Sequence, residues 1–158
     1  MKPFLFLDVD GVLNASPPIE GHQVTRKLGF PICIPPGTKE RIASLVEVFE
    51  PVWATTWRGD AHPNFAAELD LTSAPPWPYI KFRDLKILSI LDYVVSVHMS
   101  GTSVRRWVWI DDDAPWEIDH LGLVPDGRKS LAIAPETGVG LTDEHVAQAL
   151  AFAGSGNA

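Results

Sequence analysis

Apolar positions gather in short unbroken runs that stop abruptly at a polar residue: PFLFL (3–7) before Asp8, PVWA (51–54) before Thr55 and WVWI (107–110) before Asp111. Runs of this length without a polar alternation predict strands covered on both faces. SLAIA (130–134) is a fourth such strand. Between them the period changes. Ile42, Leu45, Val46 and Phe49 share one face of a helix that Thr38 can cap and Pro51 stops. A short helix is predicted to begin near Pro63, and another from Asp84 through DLKILSILDYVVSV, whose β-branched end is also compatible with extended chain. A final helix, capped by Thr142, carries Val146, Leu150 and Ala153 on one face. Residues 14–36 have no helical period; IEGHQVT and FPICI predict an irregular hairpin or flap. The proline-rich stretch 72–82 reads as loop, with a short strand at WPYI. Strands alternating with helices predict an α/β fold: a single-domain, Rossmann-like three-layer sandwich with a mostly parallel sheet. The expected domain spans residues 1–153, with 154–158 (GSGNA) as a disordered tail.

Length and composition narrow this picture. A chain of 158 residues builds one sizeable core, and 46% hydrophobic with 21% charged residues is an ordinary soluble composition. No apolar run approaches the roughly 20 residues of a membrane span. The opening FLFL is broken by Asp8 and no small-residue cleavage site follows, so it reads as a strand of a cytoplasmic protein rather than a secretory signal. The single cysteine, Cys33, can form no internal disulfide and reads as a small apolar residue of a loop or hairpin. The five histidines show no metal-ligand spacing, which argues against zinc. A net charge of −7 argues against bulk electrostatic adhesion to nucleic acid and leaves room for a local basic groove.

The chemistry lies where the strands end. In open parallel sheets functional residues collect at the carboxyl edge, where Asp8, Thr55 and Asp111 would meet. With Asp10 and Asp112 this places four carboxylates in a small space, where they raise one another's pKa or require a cation. An oxygen-rich, carboxylate-lined site suits Mg²⁺, which pairs with substrate phosphate.

DVDGVLN resembles the first motif (DxDGxL) of the haloacid-dehalogenase superfamily of phosphatases; VWATTW is similar to its second motif and WIDDD to its fourth. The order is the expected one, and the match spans most of the chain. The sequence is also similar to small bacterial and phage members with TTW, WIDDD and a late GLT. The resemblance implies an aspartyl nucleophile at Asp8 and an acid/base at Asp10. It implies Mg²⁺ held by the side chains of Asp8 and Asp111, the backbone carbonyl of Asp10, and Asp112 directly or through water. Thr55 would bond a phosphoryl oxygen, with Thr56 as the alternative. Lys86, which would open a helix, or Lys81 in the proline-rich loop, would balance the charge. Asp113 reads as a helix cap before Pro115.

Trp53, Trp107 and Trp109 read as core. Trp57 and Trp77 are candidates to line a substrate pocket, and Arg58, Lys81, Arg83, Arg105 and Arg106 are candidates for a basic rim. The inter-motif segments leave no room for a large cap, so an open site is expected. It would accept a nucleotide, a phosphorylated nucleic-acid end or another phosphomonoester. Two other classes stay open: a phosphate- or nucleotide-binding module without turnover, and a phosphoacceptor signalling domain. Neither explains an acid/base at Asp10 or a DxD pair on the first strand.

Overall fold

The apolar runs become the strands of one parallel sheet. The computed structural model describes residues 1–99, 105–123 and 129–155. In chain order the elements are β1 (Phe4–Leu7), β2 (Gln23–Lys27), β3 (Phe30–Ile34), α1 (Thr38–Val48), β4 (Glu50–Trp53), α2 (Ala61–Phe65), α3 (Lys86–Met99), β5 (Trp107–Ile110), α4 (Ala114–His120), β6 (Ser130–Ile133) and α5 (Asp143–Gly154). The main sheet has the order β4-β1-β5-β6, all parallel. Its register is level: Leu7 lies opposite both Trp53 and Ile110, and Ile110 opposite Ile133. The residues that follow the strands therefore emerge along one line.

Successive strand side chains point to opposite faces, which separates the core into two halves. Leu5, Leu7, Val108 and Ile110 pack with α1, α2 and α5, whereas Phe4, Phe6, Trp107 and Trp109 pack with α3 and α4. The result is the expected three-layer α/β sandwich. No helix of the described residues is long and apolar enough to cross a membrane.

Residues 14–36 form the expected flap. β2 and β3 pair antiparallel, with Lys27 opposite Phe30. Leu28 and Gly29 make the turn with φ of 50° and 86°, the doubly left-handed geometry that matches strand twist in a two-residue hairpin. The hairpin is fixed at its base, where the Cys33 N–H donates to Asn14 Oδ1 at 2.8 Å and Ile32, Cys33 and Ile34 are buried.

Several local expectations are corrected. Thr38 lies inside α1; Gly37, with φ of 79°, occupies the cap position, and the Thr38 hydroxyl donates to Pro35 O at 2.7 Å. The helix expected from Pro63 begins at Ala61, led in by a 3₁₀ turn at Arg58–Asp60; Pro63 falls in the first turn, where its missing N–H costs nothing. The helix expected from Asp84 starts at Lys86 and stays helical through its β-branched end to Met99. WPYI forms only a bridge, Tyr79 against Trp53. Asp113 holds the cap position of α4 without a side-chain capping bond. Thr142 caps α5 as expected, in a reciprocal box with His145. α5 runs to Gly154, and Ser155 is bonded to Phe152 O, so the first two residues of the expected tail are structured. Residues 156–158 lie outside the described residues.

Candidate active site

The level ends of β1, β4 and β5 bring Asp8, Thr55 and Asp111 together, and all three are buried. Backbone bonds continue the sheet one residue further: Asp8 N donates to Ile110 O at 3.0 Å, and Asp111 N to Ile133 O at 3.0 Å. Lys86, the first residue of α3, reaches across from the helix layer. Its ammonium donates to Asp8 Oδ2 at 2.6 Å and to Asp111 Oδ2 at 2.7 Å, with only 8% of the side chain exposed. The Ile87 N–H donates to Glu117 Oε2 on α4 at 2.9 Å, which fixes the start of α3 and so the root of Lys86. Lys81 is exposed, with its ammonium 5.9 Å from the Tyr79 ring centroid, and takes no part in this cluster.

Each carboxylate is oriented by further donors. Asp8 Oδ1 accepts the Val9 N–H at 2.7 Å. Asp111 accepts the Trp109 indole N–H at 3.1 Å and the Asp113 N–H at 2.9 Å. Asp112 Oδ2 accepts the Thr137 hydroxyl at 2.7 Å. Gly11 is required here. Its φ is +76°, and a Cβ would lie 2.2 Å from the Asp112 carboxyl group.

Burial dominates the electrostatics. It pushes the Asp8 carboxyl above its ordinary value, against the Lys86 charge and hydrogen bonds from Lys86, Val9 and Thr55. Asp111 is pushed up to about 7 by burial and by the charge of Asp8. For Lys86 burial acts downward, but Asp8 and Asp111 outweigh it and hold the ammonium well above its ordinary value.

Ligand oxygens of Asp8, Asp111 and Asp112 lie within 4.8 Å of one another. When ionised, these three carboxylates against one ammonium leave two negative charges in excess. The donor set is all oxygen and fits a hard divalent cation rather than a soft metal.

Asp10 stands apart from this cluster. Its carboxylate accepts from Asn14 Nδ2 at 2.8 Å and from the Trp57 indole Nε1 at 2.9 Å, and it faces a cleft of about 420 Å³. The hairpin residues Leu28, Phe30 and Pro31 form one wall of the cleft, and Thr56, Trp57 and Asp60 form the other. Of the two threonines, Thr55 is the one beside Asp8, while Thr56 is exposed in the cleft.

Trp57 thus lines a pocket, but Trp77 does not reach it; it packs at a tilt against Trp53 with centroids 4.7 Å apart. The expected basic rim is divided. Arg58 reaches Phe82 O near the site, at 3.4 Å. Arg105 and Arg106 precede β5 and so lie at the opposite edge of the sheet. There Arg105 pairs with Glu50 and Arg106 stacks on Phe152. Trp109 is core as expected and in addition orients Asp111, whereas Asn14, Glu117 and Thr137 carry no signal in the sequence. Their partners are distant in the chain or depend on the exact path of a loop.

A search of curated proteins returns no match to this chain. A family model described as the HAD domain in Swiss Army Knife RNA repair proteins does match it, over residues 4–146, a span that contains all the site residues above. The chain belongs to this family of the haloacid-dehalogenase superfamily.

Proposed function

We propose that the protein is a magnesium-dependent phosphomonoesterase that removes a terminal phosphate from an RNA end or a nucleotide through an aspartyl-phosphate on Asp8. The observation that carries this reading is the division of labour between two carboxylates. Asp8 is buried, bonded to Lys86 at 2.6 Å and set beside Thr55, as a fixed nucleophile needs. Asp10, two residues on, is held at the edge of a cleft where a leaving group can reach it. RNA ends are favoured as substrate by the RNA repair proteins in which the family's domain occurs. The short flap also leaves the cleft open to a large molecule.

In the first step a carboxylate oxygen of Asp8 attacks phosphorus, and the bond to the substrate oxygen breaks. Asp10 gives its proton to that departing oxygen. In the second step Asp10 takes a proton from water as the water oxygen attacks the aspartyl-phosphate, which releases inorganic phosphate and restores Asp8. The Thr55 hydroxyl donates to a phosphoryl oxygen, while Lys86 holds Asp8 in place and opposes the charge that develops on the phosphoryl group. Asp8, Asp111 and the backbone carbonyl of Asp10, with Asp112 directly or through water, would hold Mg²⁺, which when bound offsets charge on the phosphoryl oxygens.

The test is phosphate release from a 3′-phosphorylated oligoribonucleotide and from p-nitrophenyl phosphate, with and without Mg²⁺. Turnover should require Mg²⁺, vanish in Asp8→Asn and fall about 10²- to 10⁴-fold in Asp10→Asn. Full activity in Asp8→Asn would remove the proposed mechanism.

A further inference from the structure

We infer that the cleft beside Asp10 is a nucleobase subsite in which Phe30, at the tip of the flap, stacks on the terminal base of the leaving group. The inference rests on the phosphomonoesterase reading and adds to it the part of the substrate that this chain recognises.

A group protonated by Asp10 must place its departing oxygen against that carboxylate. The body of the leaving group then extends away from the buried Asp8–Lys86–Asp111 cluster, into the space that Asp10 lines. That space, about 420 Å³, lies within the range of small-molecule sites. Its hairpin wall is unusual for a surface turn. Leu28 is 62% exposed and Phe30 64% exposed, and both face a cleft rather than a core. The Phe30 and Trp57 rings meet edge to face, with centroids 6.2 Å apart at 72°, and so join into one aromatic corner of the cleft. A flat ring stacks on the exposed part of Phe30 within that corner rather than between the two rings.

Charge narrows the occupant further. Among the described residues the cleft lining includes the carboxylates of Asp10 and Asp60 and no cation, which disfavours a second phosphate there. An uncharged base and sugar fit, with the rest of an RNA strand directed out of the cleft. Trp57 links this subsite to the chemistry, because the indole that walls the cleft also donates to Asp10 Oδ2 at 2.9 Å. A base seated against it steadies the carboxylate that serves the leaving oxygen.

The experiment compares kcat/KM for adenosine 3′-phosphate with that for glycerol phosphate, which lacks an aromatic ring, in the Mg²⁺-loaded full chain. Phe30→Ala should lower the nucleotide-to-glycerol ratio about tenfold or more, chiefly through KM, and Phe30→Trp should restore it. Val24→Ala, on the same hairpin but outside the cleft, should leave the ratio at its wild-type value. An equal fall for both substrates in Phe30→Ala, or no fall in either, overturns the subsite while the phosphatase reading stands. If the wild type turns over neither substrate, calorimetric binding of adenosine 3′-phosphate to Asp8→Asn decides. Binding weakened about tenfold by the added Phe30→Ala supports the subsite although the enzyme reading fails; binding unaffected by it overturns the subsite.

Discussion

Replacing Lys86 by Met removes a positive charge from between two carboxylates while keeping a side chain of similar length. In the native cluster one ammonium serves Asp8 at 2.6 Å and Asp111 at 2.7 Å, and neither carboxylate has more than 6% of its side chain exposed. Without Lys86, two buried groups of like charge face each other. Breaking a buried ion pair from one side costs about 3–5 kcal/mol, because the remaining charge has no partner. At about 2–4 °C per kcal/mol for a domain of this size, Lys86→Met should lower Tm by about 6–20 °C in Mg²⁺-free buffer. Part of that loss should return in Lys86→Met/Asp8→Asn, where only Asp111 remains of the two carboxylates that Lys86 served. Lys81→Met, on the exposed loop, should shift Tm by no more than about 2 °C. Thermal melts of the four proteins measure this. A Lys86→Met protein as stable as the wild type would refute the claim that this lysine neutralises a buried acidic pair.

Gly11→Ala forces a left-handed backbone on alanine and drives its Cβ into the Asp112 carboxylate, so it should cost at least about 1–3 kcal/mol in urea unfolding and abolish turnover. Trp57→Phe keeps the ring but removes the bond to Asp10; kcat should fall about tenfold for every phosphomonoester, and an unchanged kcat and pH profile would contradict a positioning role. Burial lowers the pKa of His145 from its ordinary 6.5, so the unfolded chain takes up the proton first as pH falls. Its contribution to stability is therefore full above about 6.5 and is lost as pH falls from there through the lower folded-state value, and melts between pH 7.5 and 5 should show a larger loss in the wild type than in His145→Gln.

Much of the site was legible because parallel strands buried on both faces leave a plain signature. An apolar run ends, and the next polar residue stands at the carboxyl edge. That logic brought Asp8, Thr55 and Asp111 together across more than 100 residues of sequence, and the level register of β4, β1 and β5 is its physical basis. The same logic, applied to strand direction, would have separated Arg105 and Arg106 from the site, since they precede β5 rather than follow it. Pattern alone could not choose Lys86 over Lys81, because the choice depends on where α3 begins, and that start is fixed by Glu117, 30 residues away. Trp57 and Asp10 are 47 residues apart, and their hydrogen bond depends on a 3₁₀ turn that carries no strong sequence signal. Thr38 had the composition of a cap, but the left-handed Gly37 takes the cap position and Thr38 falls one residue inside the helix, its hydroxyl donating back to Pro35 O.

The most direct test of the central claim is chemical trapping of the intermediate. A phosphate-labelled oligoribonucleotide is mixed with Mg²⁺-loaded enzyme, quenched in acid and separated from protein. Wild type should carry label at Asp8 in the steady state, Asp10→Asn should carry label that is lost more slowly, and Asp8→Asn should carry none. Rapid phosphate release by the wild type, with no label on the protein at any time point and undiminished release by Asp8→Asn, would contradict the account.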